Sequence, residues 1–68
     1  MATIYQKLGD NIQKIRKSKG LTQEKLAELA KIDPKSIIEI ENGKRNPSLK
    51  TIHKIALALK VKPQELLD

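Results

Sequence analysis

The apolar residues of this chain recur at intervals of three and four, and that spacing constrains the fold more than any other feature. A sheet needs apolar and polar residues to alternate, and no alternation here runs longer than a few residues. Ile4, Leu8, Ile12 and Ile15 form one stripe on a first helix expected from about Thr3 to Lys19. Gly20 ends it behind the cationic last turn of Lys17 and Lys19, where positive charge suits a helix C-terminus. Gly9 sits inside this helix at a cost of up to about 1 kcal/mol against alanine, which marks a candidate close approach by a neighbour.

The same punctuation divides the rest of the chain. Thr22 is expected to cap a second helix, with Glu24 in its first turn and Leu26, Ala27, Leu29 and Ala30 on its buried side. Asp33 and Pro34 suit the cap and first turn of a third helix, expected from Pro34 to Asn42 and stopped by Gly43. Ser48 caps a fourth, whose stripe is Leu49, Ile52, Ile55, Ala56 and Leu59. Pro63 opens a short fifth helix with Leu66 and Leu67, and Val61 is expected to pack in the turn before it. The expectation is an all-α fold, one domain over residues 1–68, built from five short helices with no internal repeat.

The composition narrows the function. A domain of 68 residues has a small core and little room for a deep catalytic pocket. With no cysteine, neither a disulfide nor a thiolate metal site can form. His53 is the single histidine and is expected at the surface, and Glu24, Glu28 and Glu65 fall on solvent faces, so no metal, cofactor or catalytic role is expected. No apolar run reaches the roughly 20 residues of a membrane span, and no secretory signal pattern opens the chain. A cytoplasmic protein is expected, with no membrane partner and no small-molecule ligand.

The net charge of +6 is unevenly placed. Residues 1–20 carry +4, residues 21–43 carry −2, residues 44–62 carry +6, and residues 63–68 carry −2. Two basic blocks thus flank a slightly acidic middle. Such a surface attracts polyanions, although a lysine-rich solubilising surface would show the same balance. The lone aromatic, Tyr5, is expected to pack or to edge a dimer, which argues against single strands bound by stacking.

Helix two, a turn of about three residues and helix three together have helix-turn-helix spacing. In that motif the second helix enters the major groove. At about 100° per residue, Ile37 and Ile40 share one face of helix three, with Ser36 and Glu41 at its edge. Lys35, Ile38, Glu39 and Asn42 lie opposite. Lys35 can donate to guanine, Glu39 can accept from cytosine, and Ile38 can touch a thymine methyl. Lys35 and Glu39 can equally form an exposed ion pair four residues apart, and Ile38 can equally meet the rest of the domain or a partner chain.

The stretch GLTQEKLAELAKIDPKSIIEIENGKRNPSLKTIHKIALAL resembles the phage-repressor, Cro-type (lambda-repressor-like) helix-turn-helix family. The features that match are Leu21-Thr22-Gln23, Leu26-Ala27, Ile37, Ile40-Glu41, Gly43-Lys44, Pro47-Ser48, Ile55-Ala56 and Leu59, and the likeness extends from about Leu8 to Leu67. The resemblance implies a small transcriptional regulator, often a repressor, that binds double-stranded DNA, commonly as a homodimer on a palindromic operator. It implies base contacts from Gln23, Pro34, Lys35, Ser36, Ile38 and Glu39. Phosphate contacts are expected from Thr22, Asn42, Lys44, Arg45, Ser48 and Lys50, the last two at a helix start whose free N–H groups favour anions. Lys54, Lys60 and Lys62 are expected on a solvated face.

Arg16 and Glu41 match family positions that pair, fastening helix one to helix three. Two departures stand out: Lys31 occupies a turn position that usually holds glycine, and Glu39 puts an acid on the DNA-facing side. A dimer is expected to form through the domain itself, by way of helix five and Leu66 or Leu67. The rival expectation is a protein-interaction module on the same fold, antitoxin-like or a bridging factor, for which the acidic, partly apolar face of helix three is the argument.

Overall fold

The computed structural model describes residues 3–68. Five helices follow in order: α1 (Ile4–Ser18), α2 (Gln23–Ala30), α3 (Pro34–Glu41), α4 (Leu49–Leu59) and α5 (Pro63–Leu67). All five starts carry local side-chain bonds. Thr3 Oγ1 accepts from Gln6 N at 3.1 Å while Gln6 Oε1 accepts from Thr3 N at 2.8 Å, a reciprocal capping box. Thr3 is therefore the cap of α1 rather than its first helical residue. Thr22, Asp33 and Ser48 cap α2, α3 and α4 through bonds from Lys25 N, Lys35 N and Thr51 N. At α5 the Glu65 carboxylate accepts from Lys62 N at 2.7 Å.

Two helices end on lysine in the left-handed region. Lys31 (φ 58°) closes α2 and Lys60 (φ 59°) closes α4. The departure at Lys31 is thus met by strain and not by a different turn. A left-handed backbone costs a non-glycine residue about 1–2 kcal/mol. Part of that is offset because each terminus is hydrogen-bonded back onto its own last turn. Ile32 N donates to Ala27 O at 2.9 Å, and Val61 N donates to Ala56 O at 3.0 Å.

One core unites the helices. Leu8, Ile12, Leu26, Ala27, Ala30, Ile37, Ile40, Ile52, Ile55, Ala56, Leu59 and Leu66 are buried in a single cluster. α3 packs on α1 and α2, α4 on α2, and α5 bridges α1 and α4. Gly9 allows the closest of these approaches. A Cβ there would lie 2.5 Å from the Ile40 carbonyl oxygen and 2.6 Å from that of Glu41. Asn11 ties down α5, donating from Nδ2 to the backbone oxygens of Leu66 (2.9 Å) and Asp68 (2.8 Å).

Three residues placed in buried stripes are exposed: Ile4 (63%), Leu29 (47%) and Leu49 (81%). Ile4 and Leu49 are the first residues of their helices and sit at the rim of the core. Leu29 points roughly a quarter-turn or more away from the sector shared by Leu26, Ala27 and Ala30. Leu66, expected at a dimer contact, is wholly buried in the core, and of that pair only Leu67 reaches the surface.

Candidate nucleic-acid interface

The third helix is pinned along its inner face and left bare along its outer one. Ile37 and Ile40 are buried against α1 and α2, whereas Pro34, Lys35, Ile38 and Asn42 are exposed, with Ser36 and Glu39 half-buried between. Asn42 is the C-terminal cap rather than a helical residue, so α3 stops one residue earlier than expected. Among the described residues Lys35 and Glu39 form no ion pair. Glu39 instead has Arg45 Nη1 3.5 Å from its Oε1.

A buried polar knot sets the pose of this helix. Arg16 donates from Nε to Glu41 Oε2 at 2.7 Å and from Nη2 to Oε1 at 3.0 Å, and its Nη1 reaches Leu21 O at 2.8 Å. Gln23 Nε2 adds a bond to Glu41 Oε1 at 3.1 Å. The start of α2, the last turn of α1 and the end of α3 therefore meet at one carboxylate. No buried side-chain nitrogen or oxygen among the described residues lacks a partner, so the desolvated charges are compensated. Gln23, expected to face DNA, is half-buried and has its amide nitrogen drawn towards Glu41. Among the described residues no hydrogen bond engages the amide oxygen of that side chain. Its link to Glu41 joins residues 18 positions apart and leaves no local signal in the sequence.

The remaining expected contact residues lie at the surface. Thr22, Lys44, Arg45, Ser48 and Lys50 are all exposed. The Thr22 and Ser48 hydroxyls are engaged as caps, and Ser48 Oγ also lies 3.0 Å from Thr51 Oγ1. Lys44 and Arg45 sit in the loop between α3 and α4, and Arg45 Nη1 donates to Ser36 Oγ. Ser36, Arg45, Pro47 and Ser48 line a groove of about 340 Å³ that separates α3 from the N-terminus of α4.

Helix pair, turn and pinned third helix have a counterpart among known proteins. A helix-turn-helix family model matches residues 12–66. The chain belongs to the helix-turn-helix family. Within that family it is a lambda-repressor-like member. This helix-turn-helix chain is 46% identical over 61 residues to control protein C.BamHI of Bacillus amyloliquefaciens, across 88% of this chain and 75% of that protein. It is 42% identical over 52 residues to the immunity repressor protein of Bacillus phage phi105, across 76% of this chain and 36% of the repressor. Its backbone superposes with a TM-score of 0.90 on the restriction-modification controller protein C.AhdI from Aeromonas hydrophila, at 42% identity, covering 91% of this chain and 94% of that one.

Among the described residues no three His, Cys, Asp or Glu side chains gather where a metal could bind. His53, Glu24, Glu28 and Glu65 are exposed. No described helix is long and apolar enough to cross a membrane.

Proposed function

We propose that this protein is a small cytoplasmic transcriptional regulator, not an enzyme, whose single domain binds double-stranded DNA by placing α3 in the major groove. One observation carries this reading. The outer face of α3, with Lys35, Ile38 and Asn42, is bare, and the Arg16–Glu41–Gln23 knot ties the end of the helix to α1 and α2. Lys35 and Ile38 lead the reading of bases, with Pro34 and Gln23 beside them. Thr22, Asn42, Lys44, Ser48 and Lys50 hold phosphates. Because the motif itself is net negative, most of the attraction comes from the flanks and helix ends. Relatives named as a control protein and an immunity repressor support a regulatory role.

The same reading includes a homodimer on a palindromic operator. Ile4, Tyr5, Leu8, Leu49, Ile52 and Leu67 line one apolar groove, and four of them are among the large exposed apolar residues of the chain. Patches of this kind mark interaction sites. The occupant is a second copy. Asn46 and Pro47 line both this groove and the one beside Ser36 and Arg45, so the proposed dimer seam adjoins a groove that α3 lines.

A salt titration of duplex binding tests the proposal. A dimer making on the order of six phosphate contacts loses about a thousandfold in affinity between 50 and 200 mM salt. Weak binding without that slope would overturn DNA binding as the function and favour the protein-interaction module. That rival has lost some of its support, because Glu39, the acid it rested on, has a cationic partner within the chain.

A further inference from the structure

The contact between Arg45 and α3 is more specific than a phosphate clamp needs. Arg45 Nη1 donates to Ser36 Oγ and lies 3.5 Å from Glu39 Oε1. Ser36 and Glu39 are three residues apart and so stand one above the other on the same flank of α3. The guanidinium is therefore anchored at one nitrogen by two residues of the recognition helix. Among the described residues no hydrogen bond engages Arg45 Nε or Nη2. Those two nitrogens form one edge of a rigid planar fork. Such an edge matches guanine O6 and N7, and arginine on guanine is the commonest specific contact in the major groove.

We propose that Arg45 reads a guanine in each half-site, and that Glu39 and Ser36 act as positioning residues that hold its guanidinium over the groove. The inference rests on the reading that α3 enters the major groove. It changes the expected roles of three residues. Arg45 moves from phosphate to base, while Glu39 and Ser36 act through it rather than on bases directly. It also accounts for an acid on a face turned towards phosphates. A lone carboxylate there would oppose binding, whereas one beside a guanidinium is locally neutralised and limits the freedom of a long, half-exposed side chain before DNA arrives.

The two roles of Arg45 differ in what lysine can replace. Lysine keeps the positive charge that a phosphate needs but has no fork for a guanine edge. The experiment takes the duplex selected by the wild-type protein from a random pool, together with its single-base-pair variants. Affinities are measured at two salt concentrations for wild type, Arg45→Lys, Arg45→Ala, Glu39→Gln and Ser36→Ala, with circular dichroism to confirm the fold. The wild type should discriminate for one guanine per half-site by about tenfold to a hundredfold. Arg45→Lys and Arg45→Ala should both lose that discrimination and keep preferences at the other positions. Glu39→Gln and Ser36→Ala should weaken it at that position alone.

Rescue by Arg45→Lys, with Arg45→Ala weakening every duplex alike and lowering the salt slope by about 1, would show a phosphate clamp and overturn the proposal. Full discrimination in both Glu39→Gln and Ser36→Ala would overturn the positioning roles. A wild-type protein that selects no duplex and shows no salt slope would instead overturn the functional reading on which the inference stands.

Discussion

Arg16 grips Glu41 through two nearly parallel bonds, Nε to Oε2 at 2.7 Å and Nη2 to Oε1 at 3.0 Å, with both residues only 6% exposed. The pair joins α1 to the last residue of α3, and Gln23 adds the start of α2. Every element of the motif is thus referred to one carboxylate. Removing it leaves a guanidinium buried and uncompensated. Glu41→Ala is expected to cost about 3–5 kcal/mol, a large part of what a domain this small possesses. Thermal denaturation followed by circular dichroism should show a melting temperature lower by more than about 10 °C, and an unchanged value would remove the pair from the account.

Gly9→Ala sets two effects against each other. Alanine improves helix propensity by up to about 1 kcal/mol. The new methyl would lie 2.5 Å from a backbone oxygen of α3, which can move only if the helix moves. Overpacking typically costs about 1–3 kcal/mol, so the clash wins. The variant should melt below wild type and, because α3 is displaced, bind the selected duplex more weakly. A melting point raised by alanine would show that the approach is looser than described.

Lys31→Gly should do the reverse. Relief of the left-handed backbone is worth about 1–2 kcal/mol, less about 0.4–1 kcal/mol for the added freedom of the unfolded chain. A net gain of a few degrees in melting temperature is expected, with duplex affinity unaltered. A loss of stability would mean that the lysine side chain contributes more than its backbone costs.

The caps were legible because each is a bond between residues two or three apart. Thr22, Asp33 and Ser48 announce themselves within a single turn. The bend at Lys31 was legible as a position where a non-glycine residue must strain or the turn must change. Exposure at the rims was not legible, since Ile4, Leu29 and Leu49 have the spacing of core residues and only the placement of neighbouring helices leaves them bare. The Arg16–Glu41 pair was legible through the family resemblance, but other long-range polar links escaped. Asn11 meets the backbone of α5 across 55 positions, and nothing around it in the sequence says so. On the outer face of α3, a pairing of Lys35 with Glu39 four residues on was the alternative to base contacts, yet Glu39 turns to Arg45 in the following loop.

The apolar groove gives a prediction about assembly. Leu49 is 81% exposed and opens α4, where an acid is favourable to the helix dipole. Leu49→Asp should therefore leave the fold and melting temperature close to wild type. Sedimentation in the presence of duplex should find one protomer per half-site without coupling, and affinity for a full palindrome should fall about a hundredfold or more. A variant that still dimerises would place the second copy on another face.

The central claim is that the outer face of α3 reads a sequence, twice, on a symmetric duplex. Selection of bound duplexes from a random pool, with the stoichiometry of the winning complex measured, tests it most directly. The account predicts a palindromic winner bound by two protomers, its half-sites separated by one turn of DNA, about 10 base pairs. A pool from which no sequence is enriched would contradict it.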